Sequence, residues 1–276
     1  MGLFFYCKND TIDYMIINFL MYFFVALFGL CIGSFLNCFI YRLEKEESMM
    51  GRSHCPHCQK VLSWFDLVPV LSYLWLGGKC RQCHKKISVQ YPLVELFTAS
   101  LFLLVFHFQI FSFSSPISYA WLSFFWYTVT GALIIIFVYD LKFFLIPDKV
   151  LFPAIALTAV YHFSLTYFLA AILASGFFLL LFLISKGTWM GFGDVKLAIL
   201  LGLLLGFPHI LVGLFLAFLF GAVVGVTLMY APLPRTHKIE LKSQLPFAPF
   251  LIAGTWVALF WSDQLISWYL TFFSLA

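Results

Sequence analysis

Followed residue by residue, the chain is a series of long apolar runs separated by short polar interruptions. The runs fall at residues 15–41, 94–113, 119–139, 150–163, 165–185, 195–207 and 210–230, with a last one inside 247–272. A helix needs about 20 mostly apolar residues to cross hydrocarbon. The pattern therefore predicts an all-α polytopic membrane protein with about eight transmembrane helices. Two runs, 150–163 and 195–207, supply only about 20 Å of helix against a core of about 30 Å. Either the bilayer thins around them, or the polar groups at their ends lie inside the membrane surface.

One stretch breaks the pattern. Residues 42–92 have the composition of a small soluble module, so the sequence divides into three. These are an N-terminal segment with the first span (1–41), a polar module (42–93) and a membrane domain (94–276). The first run lacks a strong basic leader and a small-x-small exit, and is expected to be a retained span rather than a cleaved signal. With 63% hydrophobic and 10% charged residues, the chain lies far from the soluble average.

Charge adds an orientation. The loops at 42–92, 140–149, 186–196 and 232–243 carry fifteen of the sixteen Lys and Arg, while the turns near Ser115, Ser164 and Pro208 and the C-terminal tail carry none. Alternate loops are thus basic and bare, which predicts that the basic set faces the cytoplasm and both termini lie outside. The net charge of +4 is a matter of this placement. It implies no nucleic-acid partner, and the basic stretch from Lys79 to Lys86 reads as a juxtamembrane patch beside lipid. Nothing in the pattern fixes an oligomeric state.

Four of the seven cysteines form Cys55-Pro-His-Cys58 and Cys80-Arg-Gln-Cys83, with twenty-one residues between the pairs. Two such knuckles resemble structural zinc sites in which each supplies two thiolates to a tetrahedral ion. A redox Cys-x-x-Cys is the other reading, and the pairing of two motifs argues against it. Cys31 and Cys38 read as small packing residues, and Cys7 has no motif.

Beyond Glu95 the chain holds five carboxylates, and three of them occupy two polar islands, Tyr139 to Asp148 and Met190 to Lys196. An ionisable group at a membrane helix end is costly and marks a candidate site. Two aspartates sharing one proton are the equipment of an aspartic protease. Asp148, after Pro147, resembles a helix cap. Asp194, after Gly191-Phe-Gly193, can also cap a helix. Asp140 ends its run, where the helix dipole disfavours an anion, so it is the better catalytic candidate of its island. Gly191 and Gly193 are expected to give the backbone freedom to aim Asp194, and Lys196 and Lys142 to favour its ionised form. Within the first span, Gly33, Ser34 and Asn37 read either as helix packing with an interhelical hydrogen bond or as part of a site.

These residues resemble the type IV prepilin peptidases, bacterial Gly-x-Gly-Asp membrane aspartic proteases that also act as N-methyltransferases. The ordered matches are Gly33-Ser-Phe-Leu-Asn-Cys-Phe-Ile-Tyr-Arg-Leu43, Cys55-Pro-x-Cys58, Trp64-Phe-Asp-Leu-Val-Pro-Val-Leu-Ser-Tyr73, Gly78-Lys-Cys-Arg-x-Cys83, Tyr91-Pro-Leu-Val-Glu-Leu96, Asp140 through Ile146-Pro-Asp148, and Met190-Gly-Phe-Gly-Asp-Val-Lys-Leu197. The Asp140 to Asp194 spacing is shorter here than in well-known members.

The resemblance implies an enzyme of the bacterial inner membrane with its active site and zinc module on the cytoplasmic side. It would cleave a short basic leader from a prepilin or pseudopilin and methylate the new N-terminus from S-adenosylmethionine. Asp140 and Asp194 match the catalytic pair, with Pro147, Asp148, Gly191, Gly193 and Lys196 as its surroundings. Cys55, Cys58, Cys80 and Cys83 match a cytoplasmic module associated with methylation. By resemblance alone, Gly33, Asn37, Arg42, Asp66 and Glu95 are the methyltransferase candidates. Two rival readings use the same carboxylates: a proton-linked transporter with a structural zinc module, and a presenilin-like intramembrane protease.

Overall fold

The computed structural model describes residues 3–110, 116–230 and 246–274, with side chains described at 16–108, 121–230 and 246–272. The turn near Ser115, the basic loop 232–243 and the side chain of Cys7 lie outside the described residues. The helices are α1 (Leu3–Lys45), a five-residue α2 (Leu71–Trp75), α3 (Gln90–Ile110), α4 (Pro116–Phe143), α5 (Asp148–Tyr161), α6 (Leu165–Ser185), α7 (Phe192–Leu205), α8 (His209–Tyr230) and α9 (Ala248–Ser274). A 3-10 turn at Trp64–Leu67 precedes α2, and β-structure among the described residues is limited to two isolated bridges.

Apart from α2, these helices correspond one for one to the eight apolar runs. Six of them, α1, α3, α4, α6, α8 and α9, include stretches long and apolar enough to cross a membrane. Helices α5 and α7 have 14 residues each, as the short runs require. The first helix exceeds its predicted span at both ends and stops only where Glu46 turns left-handed, at φ 54°.

The chain divides into two compact units, Met1–Ile134 and Ile135–Ala276. In the first, α1 lies against α3 through Gly29 and Gly33. A Cβ on Gly29 would come within 2.6 Å of the Ala99 Cα, and one on Gly33 within 2.6 Å of the Glu95 Cα. Two glycines four apart let the backbones touch, which is how membrane helices associate when burial of apolar surface gives no drive. Asn37 adds the expected interhelical bond, its Nδ2 donating to the Tyr91 carbonyl at 3.0 Å.

In the second unit α7 is the central element, with ten of its 14 residues buried. Gly202 lets it meet α6, where an added Cβ would stand 2.4 Å from the Ala171 Cα. Helices α8 and α9 meet the same way, with a Cβ on Gly254 only 2.5 Å from the Gly213 carbonyl oxygen. At the far end of α7, His162 Nδ1 donates to the Leu203 carbonyl at 3.0 Å and the His162 ring stacks on Tyr167 at 4.3 Å. Because backbone rather than flexible side chain faces Gly202, Gly202→Val cannot be absorbed by a rotamer change. The expected outcome is a several-fold loss of monodisperse protein in detergent chromatography, with Val at the exposed Gly176, which has open space, as the tolerated control.

Candidate active site

Asp140 lies in the last turn of α4 and is buried, at 6% exposure. The helix ends at Phe143, and the next residue, Phe144, donates its amide to the Asp140 carbonyl at 2.9 Å from a left-handed conformation, φ 56°. That conformation is costly for a bulky residue. Asp194 is also buried, at 7% exposure, in the first turn of α7. Its carboxylate accepts from the amide of Gly191, the N-cap residue, as a capping acid does.

The two carboxylates lie close enough for their charges to interact. The Asp140 carboxylate also accepts from the Ala248 amide at the start of α9, while its Oδ2 is buried without a hydrogen-bond partner among the described residues. The first turns of α7 and α9 thus turn backbone amides toward the pair, where helix polarity favours an anion. A buried acid oxygen free of partners, beside a second acid, is an arrangement that can take or give a proton.

The two islands are brought together by contact as well as charge. A Cβ on Gly193 would lie 3.1 Å from Ile146 Cδ1, so the missing side chain makes room for the segment leading to Pro147 and Asp148. This corrects the expected role of the glycines: neither Gly191, at φ −79°, nor Gly193 has a positive φ, and Gly193 serves close approach. Asp148 is the first residue of α5, with Pro147 as the N-cap, and it pairs with Lys196. Lys196 also lies over the Phe152 and Phe192 rings, and Lys142 is exposed over Phe143. Lys196 thus fastens α5 to α7 through Asp148, and among the described residues it forms no ion pair with Asp194.

In the first unit, Cys55, Cys58, Cys80 and Cys83 bring their sulfurs within 4.8 Å of one another. The Cys55 and Cys83 sulfurs are 3.9 Å apart and all four thiols are free. A tetrahedral ion with metal–sulfur bonds of about 2.3 Å separates its ligands by about 3.8 Å, so the cluster fits a metal. Each knuckle is built alike: Cys55 and Cys80 donate their amides to Lys60 and Lys85, and Gln59 and His84 turn left-handed at φ 57° and 55°. Amides of Cys83 and Gln82 aimed at Cys80 lower its thiol to about 7. The Lys85 amide favours the Cys83 thiolate, yet burial and the neighbouring sulfurs outweigh it and push that thiol up to about 11. Crowded sulfurs that resist sharing negative charge are relieved by a divalent cation.

Of the remaining predicted residues, Arg42 and Glu95 fasten the module to the membrane helices, and Asp66 braces the module from within. Arg42 is buried and donates to the carbonyls of Met49, Gly51 and Arg52 at 2.6, 2.9 and 3.3 Å. Asp66 accepts from the Ser63 hydroxyl at 2.6 Å and from Arg81 Nε at 3.0 Å. Glu95, on α3, accepts from the Val70 amide at 2.7 Å.

Residues 27–108 match the model described as the bacterial peptidase A24 N-terminal domain, and residues 127–226 match the type IV leader peptidase family. A prepilin leader peptidase/N-methyltransferase of Aeromonas hydrophila is 33% identical over 285 residues, covering 90% of this chain and 93% of its own length. The chain belongs to the type IV leader peptidase family. Proteins of the same name from Bacillus subtilis and Pseudomonas aeruginosa are each 31% identical, over 88% and 89% of this chain and 96% and 92% of their own. No solved structure matches it. The resemblance seen in the motifs is borne out over nearly the whole chain.

Three features of this leader peptidase went unseen in the sequence: the Asp148–Lys196 pair, the Ala248 amide at Asp140, and Phe144 in a left-handed turn. The first had a signal, since Lys196 and Asp148 are both charges at the starts of apolar runs. The other two join residues far apart or at odds with local preference, and left none.

Proposed function

We propose that this leader peptidase cleaves the short basic leader from type IV prepilins or pseudopilins on the cytoplasmic side of the bacterial inner membrane, and methylates the new N-terminal residue. Asp140 and Asp194 form the proteolytic pair within residues 94–276, and residues 42–93 form a zinc module associated with methylation. The observation that carries the proteolytic half is the burial of two interacting carboxylates at adjoining helix ends in a family of leader peptidases.

The pair works by sharing one proton. The ionised carboxyl takes a proton from a water, which attacks the carbonyl before the scissile bond, and the protonated carboxyl donates to the carbonyl oxygen or the leaving amine. The two titrate as a unit, so the proton belongs to the pair. Ala248 and Gly191 amides orient the carboxylates, the packing of Ile146 against Gly193 holds the two islands together, and the exposed Asp148–Lys196 pair adds little to it. The four thiolates would hold zinc as a structural ion that locks the two knuckles together.

For the methyl donor the fit is different. Asn37, Arg42, Asp66 and Glu95 each have partners within the chain, and Gly33 is filled by α3. As disposed, they do not fit an S-adenosylmethionine site. Their effect on methylation would pass through the shape of the module.

The test incubates purified enzyme with a prepilin and S-adenosylmethionine and reads product mass. Loss of the leader together with a methyl group on the new N-terminus supports the reading, and an unchanged substrate sinks it. A second expected result separates the halves: Asp66→Asn, which weakens the Arg81 clamp, lowers methylation several-fold while cleavage stays near wild type. Equal loss of both in folded protein would remove the module from a separable role.

A further inference from the structure

The module carries an apolar surface that neither reaction uses. Leu71, Leu74 and Trp75 fall at helical spacing along α2 and are exposed, Trp75 at 91%. Beside them the 3-10 turn exposes Trp64 and Phe65, whose rings stack at 3.5 Å. A soluble surface rarely leaves so much aromatic area in water without a partner.

Three observations say what covers it. The first is depth. The Val70 amide, between the 3-10 turn and α2, bonds Glu95, which lies in the second turn of α3. The ledge is therefore pinned at the end of a membrane-spanning helix, within reach of the lipid surface. The second is continuity: Leu93 and Leu96, exposed on the first turns of the same helix, extend apolar surface from the span toward the module. The third is charge. Between residues 51 and 90 there are six Lys and Arg and one carboxylate, and that carboxylate, Asp66, is bonded to Arg81. The same bond clamps the basic knuckle to the aromatic turn, so ledge and cations are held as one piece.

We propose that this ledge is a membrane-interface anchor: the Trp64–Phe65 and Leu71–Leu74–Trp75 side chains enter the headgroup boundary while Lys79, Lys85 and Lys86 meet anionic lipid phosphates. Trp and Phe favour that boundary, and each nearby cation adds attraction to an anionic leaflet. A basic peptide would be repelled by the same cations, and a second copy would set like charges against like. The function is to hold the module flat on the bilayer and so fix its height.

The experiment uses the zinc-loaded full chain in nanodiscs, which leave both membrane faces open, made of phosphatidylcholine alone or mixed with phosphatidylglycerol. The Trp75 signal is the difference between wild-type and Trp75→Phe fluorescence. Lipids brominated near the headgroup are expected to quench it more than lipids brominated near the chain end, and aqueous acrylamide to quench it weakly. Phosphatidylglycerol should deepen the shielding and high salt reverse that increment. Leu71→Glu with Leu74→Glu, at exposed positions, should restore acrylamide quenching several-fold with zinc content unchanged. Equal acrylamide quenching in wild type and the double variant would overturn the proposal. So would shielding that appears only on adding a prepilin peptide, or only when two copies share a disc.

Discussion

Asp140→Asn and Asp194→Asn are each expected to abolish leader cleavage in a protein that still inserts and folds. Asn keeps an acceptor oxygen for the Ala248 and Gly191 amides, so burial and local bonding change little. The lost group is the ionisable proton. Positioned general acid or base catalysis contributes about 10²- to 10⁴-fold, and a pair that shares one proton fails when either member is neutralised for good. Cleavage should fall by about 10³-fold or more. Asp148→Asn is the internal control. It breaks the pair with Lys196 at a half-exposed position, so most cleavage should remain. The measurement is the mass shift of a prepilin in lipid, beside folded yield. If Asp148→Asn kills cleavage and Asp140→Asn spares it, the wrong carboxylate of the first island has been chosen. If both buried aspartates can be neutralised at normal rates, the protease assignment fails and a proton-relay role for the pair moves ahead.

The second large effect concerns metal. Purified protein is expected to hold about one zinc per chain, as four free thiols within 4.8 Å predict. Structural zinc commonly supplies about 10–16 kcal/mol of apparent binding energy to small modules, which is most or all of their stability. Chelation, or Ser at Cys55 or Cys80, should therefore open the region between Ser53 and Lys86 to trypsin while the membrane helices stay resistant. Metal content and the fragment pattern report this independently of activity. Disulfides in metal-free, folded protein would refute it.

The fold was legible because membrane helices announce themselves by length. Eight apolar runs became eight helices, and even the deficit of α5 and α7 was visible, since each counted residue is worth a fixed rise. The pairs of islands and cysteines were legible as residue types too costly or too ordered to be incidental. What the sequence did not carry was which charge meets which. Lys196 stands two residues from Asp194 yet turns to Asp148, because side chains two apart on a helix point away from each other. Gly193 was expected to free the backbone for aiming Asp194 and instead makes space for Ile146, a distinction that depends on the neighbour's position.

The 14-residue length of α7 has a consequence for substrate choice. About 21 Å of helix cannot reach across about 30 Å of hydrocarbon, so if the bilayer is not thinned around α7, the proposed catalytic carboxylate at its start would lie at a set level inside the membrane surface. On the proposed function, an enzyme built so would select by height, acting on whatever peptide bond a client's own apolar helix delivers to that level. Pilins with unrelated heads then become equivalent clients, and sliding a client's junction by one helical turn, about 5.4 Å, takes it out of register as surely as changing its residues.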